Sequence, residues 1–213
     1  MKTTIVRIKL FVARFALISF PVLTAGISHA QNDIIAEAFS QSYVFESKAD
    51  YSKAISAVKG VYNDKSYEIN LRLGWLHYEA GLFTEALAFY QKAIDLRPYS
   101  IEAKLGYVYP AAALGNWDQV TTQYKKILET DPQNTTANYR LGLIYFGKKD
   151  YQNAFKNFEK LVNLYPFGYD GLLYLGWTDY YLGQTKEAKV LFGKVLLVSP
   201  GDKSALEGLG LIK

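Results

Sequence analysis

A chain of 213 residues with 24 basic and 20 acidic side chains, a formal charge of +4 and no cysteine excludes disulfide staples, thiolate nucleophiles and thiolate metal sites. The basic excess is local. Lys2, Arg7, Lys9 and Arg14 lie near the start and no acidic residue occurs before Gln31, so a chain beginning at Gln31 carries 20 charges of each sign. That balance removes the electrostatic argument for a nucleic-acid partner.

Residues 1–30 read as an export signal. A positive leader precedes an apolar run from Phe15 to Ile27, interrupted by Ser19, Pro21, Thr24 and Gly26, and Ser28-His29-Ala30 supplies the small, any, small pattern of a cleavage site. The uncharged stretch from Phe15 to Asn32 has a polar second half and falls short of the about 20 mostly apolar residues a spanning helix needs. Cleavage after Ala30 predicts an exported protein, periplasmic or extracellular, with no integral membrane span. The 183 residues from Gln31 onward suffice for one domain with a substantial core.

The remainder is periodic. Leu73 to Gly81 reads LGWLHYEAG, and Leu175 to Gly183, 102 residues later, reads LGWTDYYLG. Pro98, Pro132, Pro166 and Pro200 are spaced 34 apart and each closes an amphipathic segment. Leu73-Gly74 recurs as Leu141-Gly142 and Leu175-Gly176, and Gly81 recurs as Gly115 and Gly183. Phe83 is matched by Trp117 and Tyr151, Ala86 by Ala154 and Ala188, and Tyr90 by Tyr124, Phe158 and Phe192. Such spacing describes two helices per unit. Gly74, Gly142 and Gly176 fall mid-helix, where glycine is unfavourable unless a neighbour comes too close for a side chain. Gly81, Gly115 and Gly183 fall between helices, where a left-handed cap is wanted.

This pattern resembles the tetratricopeptide repeat, in which Leu-Gly and an aromatic mark the first helix, and aromatic, Ala, aromatic and a closing Pro mark the second. Four units match: Tyr67 to Pro98, Ile101 to Pro132, Thr135 to Pro166 and Tyr169 to Pro200. Residues 31–66 hold a degenerate unit with Tyr51 and Ala54 in the right relation, and residues 201–213 a capping helix carrying Leu209-Gly210. The resemblance implies an all-α fold, a right-handed α-solenoid of antiparallel helix pairs with first helices lining a concave face, stabilised by stacking of neighbouring units.

In that family a second stripe on the first helices lines the groove. Here it reads Leu71, Trp75, Tyr78; then Leu105, Tyr109, Ala112; then Tyr139, Leu143, Phe146; then Leu173, Trp177, Tyr180. The Lys and Asn by which chaperone-binding relatives clamp a terminal carboxylate are absent from these places, while Arg72, Arg140 and Lys104 lie near enough to steer an acidic group. Two readings stand open. An exposed aromatic face marks an interaction surface, rich in the Trp and Tyr that dominate binding hot spots; or the array buries the stripe itself, beneath its first unit, its last helix or a second copy of the chain in a homo-oligomer. On the first reading the Trp residues serve whatever fills the groove, and the protein is a scaffold for a peptide, helix or partner domain. A glycan-binding alternative uses the same rings as sugar-stacking platforms, with Glu68, Glu102 and Asp170 accepting from hydroxyls.

Unit two departs from the pattern. Val108 stands where Gly74 stands elsewhere, and Pro110 falls inside a first helix, where it removes a hydrogen bond to the carbonyl of Gly106. Lys149 replaces the inter-helix glycine of unit three, with Gly147 nearby to compensate. Catalytic chemistry is sparse: His77 is the sole histidine after Ala30, no phosphate loop occurs, and the expectation is a non-enzyme without cofactor or metal.

Overall fold

The computed structural model describes residues 21–212, which form eleven helices and no strand. Of the export signal, residues 1–20 lie outside the described residues, and helix α1 (Pro21–Glu46) runs unbroken across the Ala30–Gln31 junction. Among the described residues no helix is long and apolar enough to cross a membrane. Helix α2 (Tyr51–Lys59) pairs with α1 as the degenerate unit. The four regular units follow as α3 (Tyr67–Glu79) with α4 (Phe83–Leu96), α5 (Ile101–Ala113) with α6 (Trp117–Thr130), α7 (Thr135–Gly147) with α8 (Tyr151–Leu164), and α9 (Tyr169–Tyr181) with α10 (Thr185–Val198). Helix α11 (Lys203–Leu211) closes the array.

The first helices of units one to three, and α11, begin at an oxygen-bearing cap. Ser66, Ser100, Asn134 and Asp202 accept from the backbone N–H three residues on, at 3.3, 3.1, 3.0 and 2.9 Å, satisfying one of the donors a helix start leaves open. Only unit four departs, with Gly168 and no side-chain cap. Each second helix stops two residues before its proline, which forces the preceding residue out of helical geometry.

The mid-helix glycines sit where the rings of the second helices press. A methyl on Gly74, Gly142 or Gly176 would stand 2.9, 2.6 or 2.9 Å from the rings of Tyr90, Phe158 and Phe192. Ala86, Ala154 and Ala188 are fully buried on the facing helices. At unit two Val108 is buried in the place of the glycine, and α5 continues through Pro110 to Ala113, with the amide of Leu114 donating to the Pro110 carbonyl at 3.1 Å. The proline therefore does not end the helix; it leaves the Gly106 carbonyl without an intrahelical donor four residues on.

The inter-helix turns need a left-handed residue. Gly81, Gly115 and Gly183 take φ of 75°, 73° and 79°, and Lys149 takes 58°. Gly147 does not relieve that conformation as the sequence suggested. It is the last helical residue of α7, and Lys149 itself carries the strain.

Candidate functional site

The stripe predicted to line the groove is split by the structure into three parts with different environments. In the first, Leu71, Trp75 and Tyr109 join Phe39 and Tyr43 of α1 around a recess of about 700 Å³. Phe39 and Tyr43 escaped the sequence reading because α1 lacks the repeat signature; their spacing of four on one helix was the available signal.

Arg72, expected to steer an acidic group, is instead buried at 7% exposure. Its guanidinium lies 3.9 Å from the centre of the Tyr43 ring, its Nε donates to the Ser42 hydroxyl at 3.0 Å, and its Nη2 pairs with Glu46 at 2.6 Å. The last contact is an ion pair without hydrogen-bond alignment. The physical reason is the degenerate first unit: α1 ends on Glu46, a part-exposed carboxylate beside Arg72, which pairs with the guanidinium as that side chain is covered by α1. The other carboxylate oxygen of Glu46 accepts from the indole N–H of Trp75.

Lys104 is likewise turned away from the groove. It is 2% exposed and its Nζ donates to the Pro98 carbonyl. Its repeat equivalents do the same work: Asn70 donates to the carbonyls of Asp64 and Ser66, and Asn138 to those of Pro132 and Asn134. The side chain at this position ties the first helices of units one to three to the loop before them; in unit four the position is the buried Leu172.

The middle part is open. Tyr78 and Tyr109, with ring centres 5.6 Å apart, form one wall of a cleft of about 720 Å³ between α5 and α7, with Leu105, Trp117, Leu143 and Arg140 among its other lining residues. Tyr109 is 52% exposed and borders both this cleft and the first recess. Trp117, also 52% exposed, went unpredicted as a site residue because its position in the repeat is normally a packing one.

The C-terminal part packs against itself. Phe146 meets Tyr151, Tyr174 and Tyr181 at 5.5, 5.8 and 5.8 Å. Tyr180 lies 5.7 Å from Trp177. Trp177 rests on Phe192 at 5.2 Å and donates its indole N–H to the Ser204 hydroxyl at 2.8 Å. Tyr139 borders a smaller recess of about 290 Å³ beside Asp170, and its phenol is shifted upward, first by burial and then by the Asp170 carboxylate. The stripe thus divides: its C-terminal end is half-buried among its own rings and α11, while Trp75 and Tyr109 in its first two parts are exposed.

Tetratricopeptide repeat profiles match residues 41–101, 135–167 and 170–201. The chain is a tetratricopeptide repeat protein. The matched segments bracket unit two, the unit that carries Val108 and Pro110. A solved tetratricopeptide repeat protein from Parabacteroides merdae ATCC 43184 superposes with a TM-score of 0.70 at 22% identity, covering 83% of this chain and 71% of its own. The structure of MamA gives 0.68 at 21%, covering 78% and 92%. That of YrrB, described as having an unusual peptide-binding site, gives 0.67 at 15%, covering 88% and 97%. At these identities the likeness is one of fold.

Among curated relatives, the anaphase-promoting complex subunit 7 of Arabidopsis thaliana is 22% identical over 165 residues, covering 75% of this chain and 29% of its own. The BBSome complex member BBS4 of Bos taurus is 29% identical over 115 residues, covering 54% and 22%. The chain spans less than a third of the length of these relatives.

No group of three His, Asp or Glu side chains among the described residues is placed to hold a metal ion. His77 is buried, with its Nδ1 2.7 Å from the Leu73 carbonyl and its ring 4.8 Å from Phe89. Burial lowers its pKa, so it is a neutral core residue at pH 7.

Proposed function

We propose that this tetratricopeptide repeat protein is an exported, non-enzymatic interaction scaffold that holds a polypeptide segment against the concave surface between α1 and α7. The observation that carries this reading is Tyr109, a half-exposed ring shared by two adjoining apolar recesses. Large aromatic side chains standing in water over a continuous surface mark partner sites. Complexes and assemblies named for the curated relatives, and the peptide-binding site named for YrrB, agree with a partner-holding role. Export rests on the leader and cleavage pattern before Gln31.

A protein segment is favoured over a glycan because two of the three acidic groups that would accept from sugar hydroxyls have internal partners, and the third, Asp170, lines neither of the two adjoining recesses. Glu68 lies 3.5 Å from Arg97, and Glu102 accepts from the Tyr67 hydroxyl at 3.1 Å. The test is affinity capture from a native extract with the unmutated chain and a Tyr109→Ala variant that circular dichroism shows to be helical. The reading expects a partner that the variant loses. A partner retained equally by both moves the site off the concave face.

A further inference from the structure

One position of the period decides how closely each first helix approaches the preceding unit: Arg72, Gly106, Arg140, Tyr174 and Gly208. A methyl on Gly106 would stand 2.2 Å from the Tyr90 ring, and one on Gly208 would stand 2.4 Å from that of Phe192. Tyr174 lies flat on Phe158 at 5.4 Å and 18°. Arg140 makes no such seal. Its side chain is exposed, and its guanidinium carbon lies 5.9 Å from the centre of the neighbouring Tyr139 ring. The joint between units two and three is left open as the cleft of about 720 Å³.

The charged residues lining this cleft are Arg140 and Lys148, both cationic. Lys148 lies 4.0 Å from Asp118, at the outer limit of an ion pair, and the Arg140 guanidinium pairs with no carboxylate among the described residues. We propose that the cleft between α5 and α7 binds a large apolar side chain of a partner polypeptide, with an adjacent carboxylate of the same segment meeting Arg140. Planar, multiply donating guanidinium suits a carboxylate, and the apolar walls offered by Leu105, Trp117 and Leu143 suit an aliphatic or aromatic side chain. The occupant is a polypeptide because Tyr109 makes the cleft continuous with the recess that extends to α1, so one elongated segment reaches both. Its acidic end lies at α7, where Arg140 and Lys148 stand, because the other recess is lined by the carboxylates Glu68 and Glu102. This inference rests on the concave-surface reading above and adds the chemistry and direction of the segment.

The test is selection of a displayed library of random twelve-residue peptides on the full chain, with affinities then measured on Arg140→Glu and Ala112→Trp variants. Ala112 lines the cleft and is part-exposed, so a Trp there fills it; circular dichroism and urea midpoints verify that both variants fold. Selected peptides are expected to pair Trp, Phe or Leu with a nearby Asp or Glu, to weaken about tenfold or more on either variant, and to be replaced on Arg140→Glu by basic sequences. Peptides that bind both variants undiminished but are lost on Leu71→Ala would keep the concave reading and overturn the cleft. No enrichment on any chain would overturn both. A saturable shift in Trp emission on adding sodium dodecanoate that is lost in a Trp117→Phe variant, with no peptide enriched, would make the cleft a lipid site and overturn the proposal.

Discussion

Trp75 and Trp177, three periods apart, each donate the indole N–H to a helix at one end of the array: Trp75 to Glu46, the last residue of α1, and Trp177 to Ser204 of α11 at 2.8 Å. The repeated phrase therefore also has a structural use, as a fastening to the terminal helices. Terminal repeats have one unpaired flank and need a fastening. Ser204→Ala is expected to destabilise by about 1 kcal/mol, the net worth of one hydrogen bond, and to raise hydrogen exchange first in α11. Unchanged α11 protection would contradict the fastening role.

Gly106 and Gly193 should respond oppositely to the same substitution. Gly106→Ala drives a methyl to 2.2 Å from the Tyr90 ring, whereas at Gly193, mid-helix in α10, a methyl meets nothing within 4 Å. Overpacking is expected to cost Gly106→Ala about 1–3 kcal/mol, and Gly193→Ala to gain about 0.5–1 kcal/mol from helix propensity. Urea denaturation midpoints of the two variants measure the contrast directly.

Lys149→Gly is expected to stabilise by roughly 0.5–1 kcal/mol, because φ of 58° is strained for lysine and free for glycine. Gly147→Ala, by comparison, adds a side chain where nothing stands within 4 Å and replaces a helical glycine, so it should also stabilise. A loss of stability in Lys149→Gly would show that the lysine side chain makes up for its backbone.

Acid should act in opposite directions on two buried groups at equivalent positions, His77 and Asp179. Burial first, then Glu187 and Glu159, raise the Asp179 carboxyl to about 6 from 3.8, so the folded state binds the proton more tightly than the unfolded one. Stability from this group rises as pH falls from above 6 toward 4. Burial lowers His77 below its usual 6.5, against the Leu73 carbonyl, with Lys59 and Glu85 as the nearby charges. There the unfolded state binds the proton more tightly, and stability falls as pH drops through 6.5. Acidifying from pH 7 to 5 is therefore expected to destabilise Asp179→Asn and to stabilise His77→Gln, as read by thermal unfolding; matching slopes would contradict the assignment.

The array was legible in the sequence because its constraints are local and repeated. Pro98 and its partners at intervals of 34, Gly81 with its positive φ, and Gly74 beside Tyr90 each leave a residue-type signature at a fixed offset. The second use of Gly106 and Gly208, against the ring of the preceding unit, repeats at only two of the five positions, and Arg140 and Tyr174 hide it. Arg72 and Lys104 misled for a related reason. A charged side chain on a first helix looks solvated until its partner is known, and those partners, Glu46 and the Pro98 carbonyl, lie in segments without the repeat's pattern or in backbone. Which part of the aromatic stripe stays open depends on packing between units and left no periodic trace.

The concave-surface account is tested most directly by photo-crosslinking from Tyr109. A photoreactive phenylalanine analogue placed at Tyr109 is compared in living source cells with the same group at Tyr99 and Leu197, which are 82% and 72% exposed outside the stripe. The account predicts a discrete protein adduct from position 109 and none from the other two. An adduct from Leu197 or Tyr99, with none from position 109, would contradict it.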